Sequence, residues 1–187
     1  DAAGHALPDD ASSARIARSV YEIRIRPGIQ YQPHPAFARD AAGRYRYHAL
    51  PAADAAGKTR IHDFEHSGTR ELVAADYVYQ IKRLASPRLS SPIFGLMAEH
   101  IIGLKALGAA LEKAAQSGPA AALNLDDFAL EGAEVVDRYT YRIHVKGKYP
   151  QFIYWLAMPF FAPIPWEADA FYAQPGLAER NLTLDWQ

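Results

Sequence analysis

Apolar and polar residues alternate from Val20 to Arg26, with Tyr21, Ile23 and Ile25 on one side and Glu22, Arg24 and Arg26 on the other. A period of two predicts a half-buried strand. Pro27-Gly28 then turns the chain into Ile29-Gln30-Tyr31, which predicts a short hairpin. Between Pro33 and Thr69 the periodicity is lost. Prolines, glycines, tyrosines and histidines are scattered among charges there, and the stretch reads as a long surface excursion of the kind used for binding or as a lid.

From residue 71 to 85 the spacing becomes helical, with Val73, Tyr77, Ile81 and Leu84 on one stripe and Asp76, Gln80 and Arg83 on another. Asp76 and Arg83 read as a solvated face. Pro87 closes this helix. A second helix is expected from Pro92, with Ser91 as its cap, and Gly103 and Gly108 weaken it enough to suggest two helices joined near Gly103. The helical region should end at Ser117-Gly118-Pro119.

Gly132 to Val145 predicts two strands around Asp137-Arg138, with Tyr139, Tyr141, Ile143 and Val145 sharing a face. Tyr149 to Met158 suggests a short buried helix, Phe160 to Pro165 an extended run, and Trp166 to Tyr172 a further helix before the turn at Gln174-Pro175-Gly176. Asn181 to Gln187 alternates like the entry to a strand.

Composition narrows the function classes. Half of the 187 residues are apolar, enough for one well-buried core. Twenty basic side chains against twenty-one acidic ones remove the electrostatic case for a nucleic-acid groove or an anionic membrane surface. A neutral or small ligand fits better. With no cysteine, there is no disulfide framework, zinc knuckle or thiol nucleophile. The apolar run from Phe152 to Pro165 is broken by Pro159 and Pro163 and falls short of the roughly 20 residues of a membrane span. Asp1 to Asp10 has neither a basic start nor a hydrophobic run, so the chain is expected to be cytosolic or to have lost an export signal.

The nearest approach to a metal site is His62-Asp63-Phe64-Glu65-His66, two histidines four apart with carboxylates between. On a helix the two rings would share a face, as in zinc hydrolases. The glutamate directly after the first histidine is missing, and the surrounding stretch lacks helical periodicity. No Gly-x-Ser-x-Gly elbow and no phosphate-cradling glycine pattern occurs. Phe152, Tyr154, Trp155, Phe160, Phe161 and Trp166 crowd together; most read as core, with one or two available to line an apolar cleft. His100 and His144 read as ordinary structural or surface histidines.

The order of these passages carries a resemblance. Val20 to Ile29 resembles the strand followed by Arg-x-Gly-hydrophobic in the bacterial extracellular solute-binding proteins of family 5, the oligopeptide- and dipeptide-binding receptors. Val73-Ala-Ala-Asp-Tyr-Val-Tyr-Gln-Ile-Lys-Arg-Leu-Ala-Ser-Pro87 is similar to that family's Thr-Ala-Asp/Glu-Asp-Val-Val-Tyr helix. Ser91-Pro92 with its following aromatic turn, the Gly132 to Val145 hairpin, Pro150 to Pro159 and Ala162-Pro-Ile-Pro165 follow in the family's order. Val73 stands where the family has a capping threonine. Another residue must cap the helix, or it starts nearer Thr69.

The resemblance implies an α+β fragment, part of lobe I of a two-lobed periplasmic binding protein, with short mixed or antiparallel sheets flanked by helices. Residues 1–187 are then a single piece of that lobe, and the second lobe and both ends of the full protein lie outside it. It implies no reaction and no cofactor or metal. It further implies a peptide or other small solute as ligand, the membrane permease of an ABC importer as partner, and Phe94 as a ligand-facing residue. Two alternatives come from other classes: a metal-dependent hydrolase using His62 and His66, or a stand-alone interaction module acting through its aromatic surface.

Overall fold

The computed structural model describes residues 1–8, 10–117 and 123–177. Among them are six α-helices and one three-stranded antiparallel sheet, an α+β architecture. The expected strand entry at Asn181–Gln187, and Gly118-Pro119 at the end of the helical region, lie outside the described residues. The chain divides into two compact units, one formed by Asp1–Arg26 and Val73–Pro163, the other by Pro27–Leu72 and Ile164 onward. No helix among the described residues is long and apolar enough to cross a membrane.

The first unit is built on β1 (Arg18–Arg24), β2 (Ala133–Asp137) and β3 (Thr140–Lys146), in the order β1-β3-β2. The alternation read in the sequence holds: Tyr21 and Ile23 turn inward, and Val20, Glu22 and Arg24 are exposed. β1 pairs along its whole length with β3, from Arg18 opposite Lys146 to Arg24 opposite Thr140. The hairpin expected at Pro27-Gly28 therefore does not form: Gln30 bridges to Glu71 instead. The β2–β3 hairpin is present, with a register shift between Val135 and Asp137. Tyr141, Ile143 and Val145 form its buried face.

Helix α2 (Ala74–Arg83) packs on β2 and β3, with Tyr77 stacked on Tyr141 at a ring separation of 5.0 Å. Val73 has no side-chain acceptor, and the structure supplies the cap from inside the helix. The Asp76 carboxylate accepts the Val73 N–H at 3.0 Å, and the Ala74 N–H donates to the Arg138 carbonyl at the hairpin turn at 2.9 Å. These bonds satisfy amides that a helix start otherwise leaves open. Asp76 is 2% exposed, so the solvated face expected for it is corrected. Its charge is used at the helix N-terminus, where a carboxylate is favoured by the helix dipole.

Helix α3 (Phe94–His100) begins two residues later than Ser91-Pro92 suggested, and α4 (Leu104–Ser117) follows after a break at Ile101–Gly103. Gly103 sits at φ +77°, a conformation that glycine adopts without a Cβ penalty. Leu104, Leu107 and Leu111 give α4 its buried stripe. Gly132 allows the break to lie against the sheet: a Cβ there would run into the Ile102 carbonyl. The Ile102 N–H donates to the His144 carbonyl at 3.0 Å, and the His144 N–H to the Gly132 carbonyl at 2.9 Å.

Helix α5 (Phe152–Leu156) is the short helix expected over Tyr149–Met158, yet only Phe152 within it is buried, against Tyr21 and Phe161. Ile153 and Tyr154 face outward, Tyr154 at 74% exposure. The run after it is a 3-10 turn at Pro159–Phe161 before the chain extends. Of the six crowded aromatics, Phe152 and Phe161 are core, Trp155 and Phe160 half-buried, and Tyr154 and Trp166 exposed.

The second unit corrects the expectation of a surface excursion over residues 33–69. That stretch holds a 3-10 turn at Pro35–Phe37, helix α1 (Ala52–Ala56) and a 3-10 turn at Ile61–Asp63, and Gly68 bridges to His34. Ala36, Ala55 and Phe64 form a core with Phe171 and Leu177, which follow or belong to α6 (Trp166–Tyr172). Polar groups link the two segments. The buried Gln174 accepts from the Leu50 N–H at 2.9 Å and donates to the Phe171 carbonyl at 2.9 Å.

Candidate functional site

Phe94, expected to face a ligand, lies in a cleft of about 380 Å³ in the first unit, between the end of α2 and the α3–α4 pair. The sequence builds this place in three steps. Helix α2 stops because Ala85 and Ser86 donate to the Lys82 and Arg83 carbonyls, closing tight turns before Pro87. The loop then reverses at Ser90, whose φ of 46° lies in the left-handed region that few residues other than glycine occupy. Finally the Phe94 N–H donates to the Ser91 carbonyl at 3.2 Å, which starts α3 and aims the ring at α4.

The Phe94 ring covers Gly108 so closely that a side chain there would collide with it. Gly108, read in the sequence as a weak point of a helix, is what lets an aromatic edge reach the α4 backbone. The ring is thus half-buried packing on one side and cleft wall on the other. Leu84, Ala85 and Ala109 continue the apolar wall, and Lys105 and Glu112 stand among the lining residues. Lys105 also pairs with Glu99 at 3.2 Å with both side chains largely exposed, an interaction worth little. The cleft lies at the small end of ligand pockets. Its chemistry suits an apolar group the size of a side chain, with a polar rim to orient it.

His62 and His66 are not brought together on a helix face. His62 lies in the single 3-10 turn Ile61–Asp63, His66 follows in irregular chain, and both are exposed. The Asp63 carboxylate between them accepts the N–H groups of Thr59 and Arg60 at 2.6 and 2.8 Å, and these bonds hold it below the usual carboxylate range. Among the described residues no three metal-ligating side chains are grouped to hold an ion. His100 stacks on Tyr149 at 4.1 Å, and His144 lies 3.4 Å from Glu134.

A buried carboxylate with three hydrogen bonds in the second unit escaped the sequence reading. Glu167, in the first turn of α6, is 2% exposed. It accepts from Arg70 Nε and Nη2, each at 2.7 Å, and from the Tyr45 hydroxyl at 2.9 Å. Burial is the largest influence and works to raise its carboxyl, but the Arg70 bonds and charge, a backbone N–H and the Tyr45 hydroxyl together outweigh it and leave it below its ordinary value. Tyr45 is stacked on His48 at 4.2 Å, and the Arg39 guanidinium lies 4.0 Å from the centre of its ring. Every partner in this cluster is engaged by another, so it reads as a lock on the unit. Only the residue types hinted at it, because Arg70 and Glu167 are 97 positions apart.

No protein-family model, curated protein or solved structure matches the chain.

Proposed function

We propose that this chain is part of the first lobe of a periplasmic solute-binding receptor, one that binds without catalysing a reaction. The complete protein captures a peptide or other small solute and hands it to the membrane permease of an ABC importer. The observation that supports this reading is that most residues of the passages resembling the solute-binding family, from Val20–Ile29 to Ala162–Pro165, fall in one compact unit; Pro27–Ile29 and Ile164–Pro165 fall in the other. Within it β1 pairs over seven residues with β3, and α2 is fastened to the β2–β3 turn through Ala74 and Arg138. Phe94 then serves as an apolar wall of a cleft that accepts part of the solute.

The test is the natural coding sequence on either side of these residues. The proposal expects an upstream signal peptide and a downstream Gly-x-Gly-x-Tyr segment leading into a second lobe. Native mass spectrometry of the full-length protein should then show a co-purified small solute that Phe94→Ala releases. An open reading frame with neither feature would overturn the receptor reading.

A further inference from the structure

A second hollow, of about 580 Å³, lies in the first unit between the N-terminal segment Asp1–Pro8 and the start of β1. It is separate from the Phe94 cleft and shares no lining residue with it. Arg18 and Lys148 both line it. Arg18 also stands directly opposite Lys146 in the β1–β3 ladder. Like charges so placed repel each other.

The same sheet face shows how this chain treats its other cations. Glu22 accepts from Arg142 at 2.9 Å and from Arg24 at 3.0 Å, and Glu134 lies 3.5 Å from Arg142. At the other end, among the described residues, no carboxylate pairs with Arg18, Lys146 or Lys148. The acid that lines the hollow, Asp1, is occupied by its own turn: one oxygen accepts the N–H groups of Ala3 and His5 at 3.0 and 2.9 Å. The Arg18 guanidinium reaches across to that turn, 3.8 Å from where a Cβ on Gly4 would stand. Tyr21, Tyr149, Leu7 and Ile16 give the hollow apolar walls.

We propose that this hollow binds a small solute bearing an oxyanion, carboxylate or phosphate, with the anionic group held between Arg18 and Lys148 and the body of the solute against Tyr21 and Tyr149. An anion there offsets the Arg18–Lys146 repulsion, which links binding to the stability of the sheet end. Because the cations are exposed, the attraction is screened by salt.

The experiment is an amide NMR titration of the 187-residue chain at low ionic strength, with inorganic phosphate and succinate as separate probes and sodium chloride as control. Saturable shifts at Gly4, Ser19 and Lys148 are expected with at least one oxyanion and not with chloride. The stronger probe tells phosphate from carboxylate. Arg18→Gln with Lys148→Gln should weaken binding about tenfold. Arg24→Gln, on the same face but already paired, should leave it unchanged. Removing Arg18 also relieves a repulsion, so the double variant should melt no lower than the parent, which separates lost binding from lost folding. Shifts that fail to saturate, that chloride reproduces, or that Arg24→Gln weakens equally would overturn the proposal.

Discussion

Acid should loosen the second unit through one imidazole. His34 caps the 3-10 turn at Pro35–Phe37 by accepting the Ala36 N–H on Nδ1 at 3.0 Å. That bond places the ring hydrogen on Nε2, which donates to the Tyr172 hydroxyl at 2.9 Å. The ring also sits edge-on to Phe171, 5.4 Å between centres. Protonation of Nδ1 would set a donor against the Ala36 N–H. Burial lowers the His34 pKa from 6.5 to about 4.

The sign follows from linkage. The unfolded chain takes up the proton first, near pH 6.5, so the contribution of this group is complete above that value. It is lost as pH falls to about 4 and is constant below. A drop of 2.5 units corresponds to about 3.4 kcal/mol, and partial solvent contact reduces it to about 1.5–2 kcal/mol. Urea unfolding of the parent and of His34→Asn between pH 7.5 and 4 measures it. Asparagine keeps a side-chain acceptor for the turn and cannot titrate. The variant should lose about 1.5–2 kcal/mol less than the parent over that range. His48, whose pKa is also lowered by burial, acts in the same direction and cancels in the difference. Equal acid losses in the two proteins would refute the assignment.

Two further outcomes follow from the bonds described. Asp76→Ala should cost about 1–2 kcal/mol in urea unfolding, and Asp76→Asn clearly less, because the amide oxygen can still accept the Val73 N–H; equal losses would mean that the cap contributes nothing. Glu167→Gln should cost about 2–3 kcal/mol by removing the charge that Arg70 Nε and Nη2 meet in a poorly solvated place; a loss below about 0.5 kcal/mol would show the pair to be replaceable.

The elements that could be read from the sequence are those with a regular period and a local partner. β1, β3 and α2 were visible because burial repeats every second or every third to fourth residue, and the break at Gly103 was visible because glycine disrupts such a repeat. Asp76 was misplaced for a physical reason: a charge in a helical pattern is assigned to solvent unless the amide it caps is known, and here that amide belongs to Val73. The second unit was hidden almost entirely. Its core residues, Ala36, Ala55, Phe64, Phe171 and Leu177, sit on 3-10 turns, very short helices and a turn, and they meet only when two distant segments do. Phe94 lines a cleft, and its dependence on Gly108 needed the packing of α3 on α4 to become apparent.

The interleaved connectivity has a consequence for how the molecule is made. β1 emerges from the ribosome about 120 residues before β3, its sole strand partner among the described residues, as the Glu22–Arg142 contact shows. Residues 27–72 likewise precede Phe171 and Leu177, the rest of their core. Neither unit can finish during early synthesis, so an amphipathic strand with both edges unpaired waits in the growing chain. Such strands invite wrong pairing. The charges at alternate positions of β1, Arg18, Glu22 and Arg24, are then also safeguards during biosynthesis, keeping a nascent strand dispersed until its partner arrives.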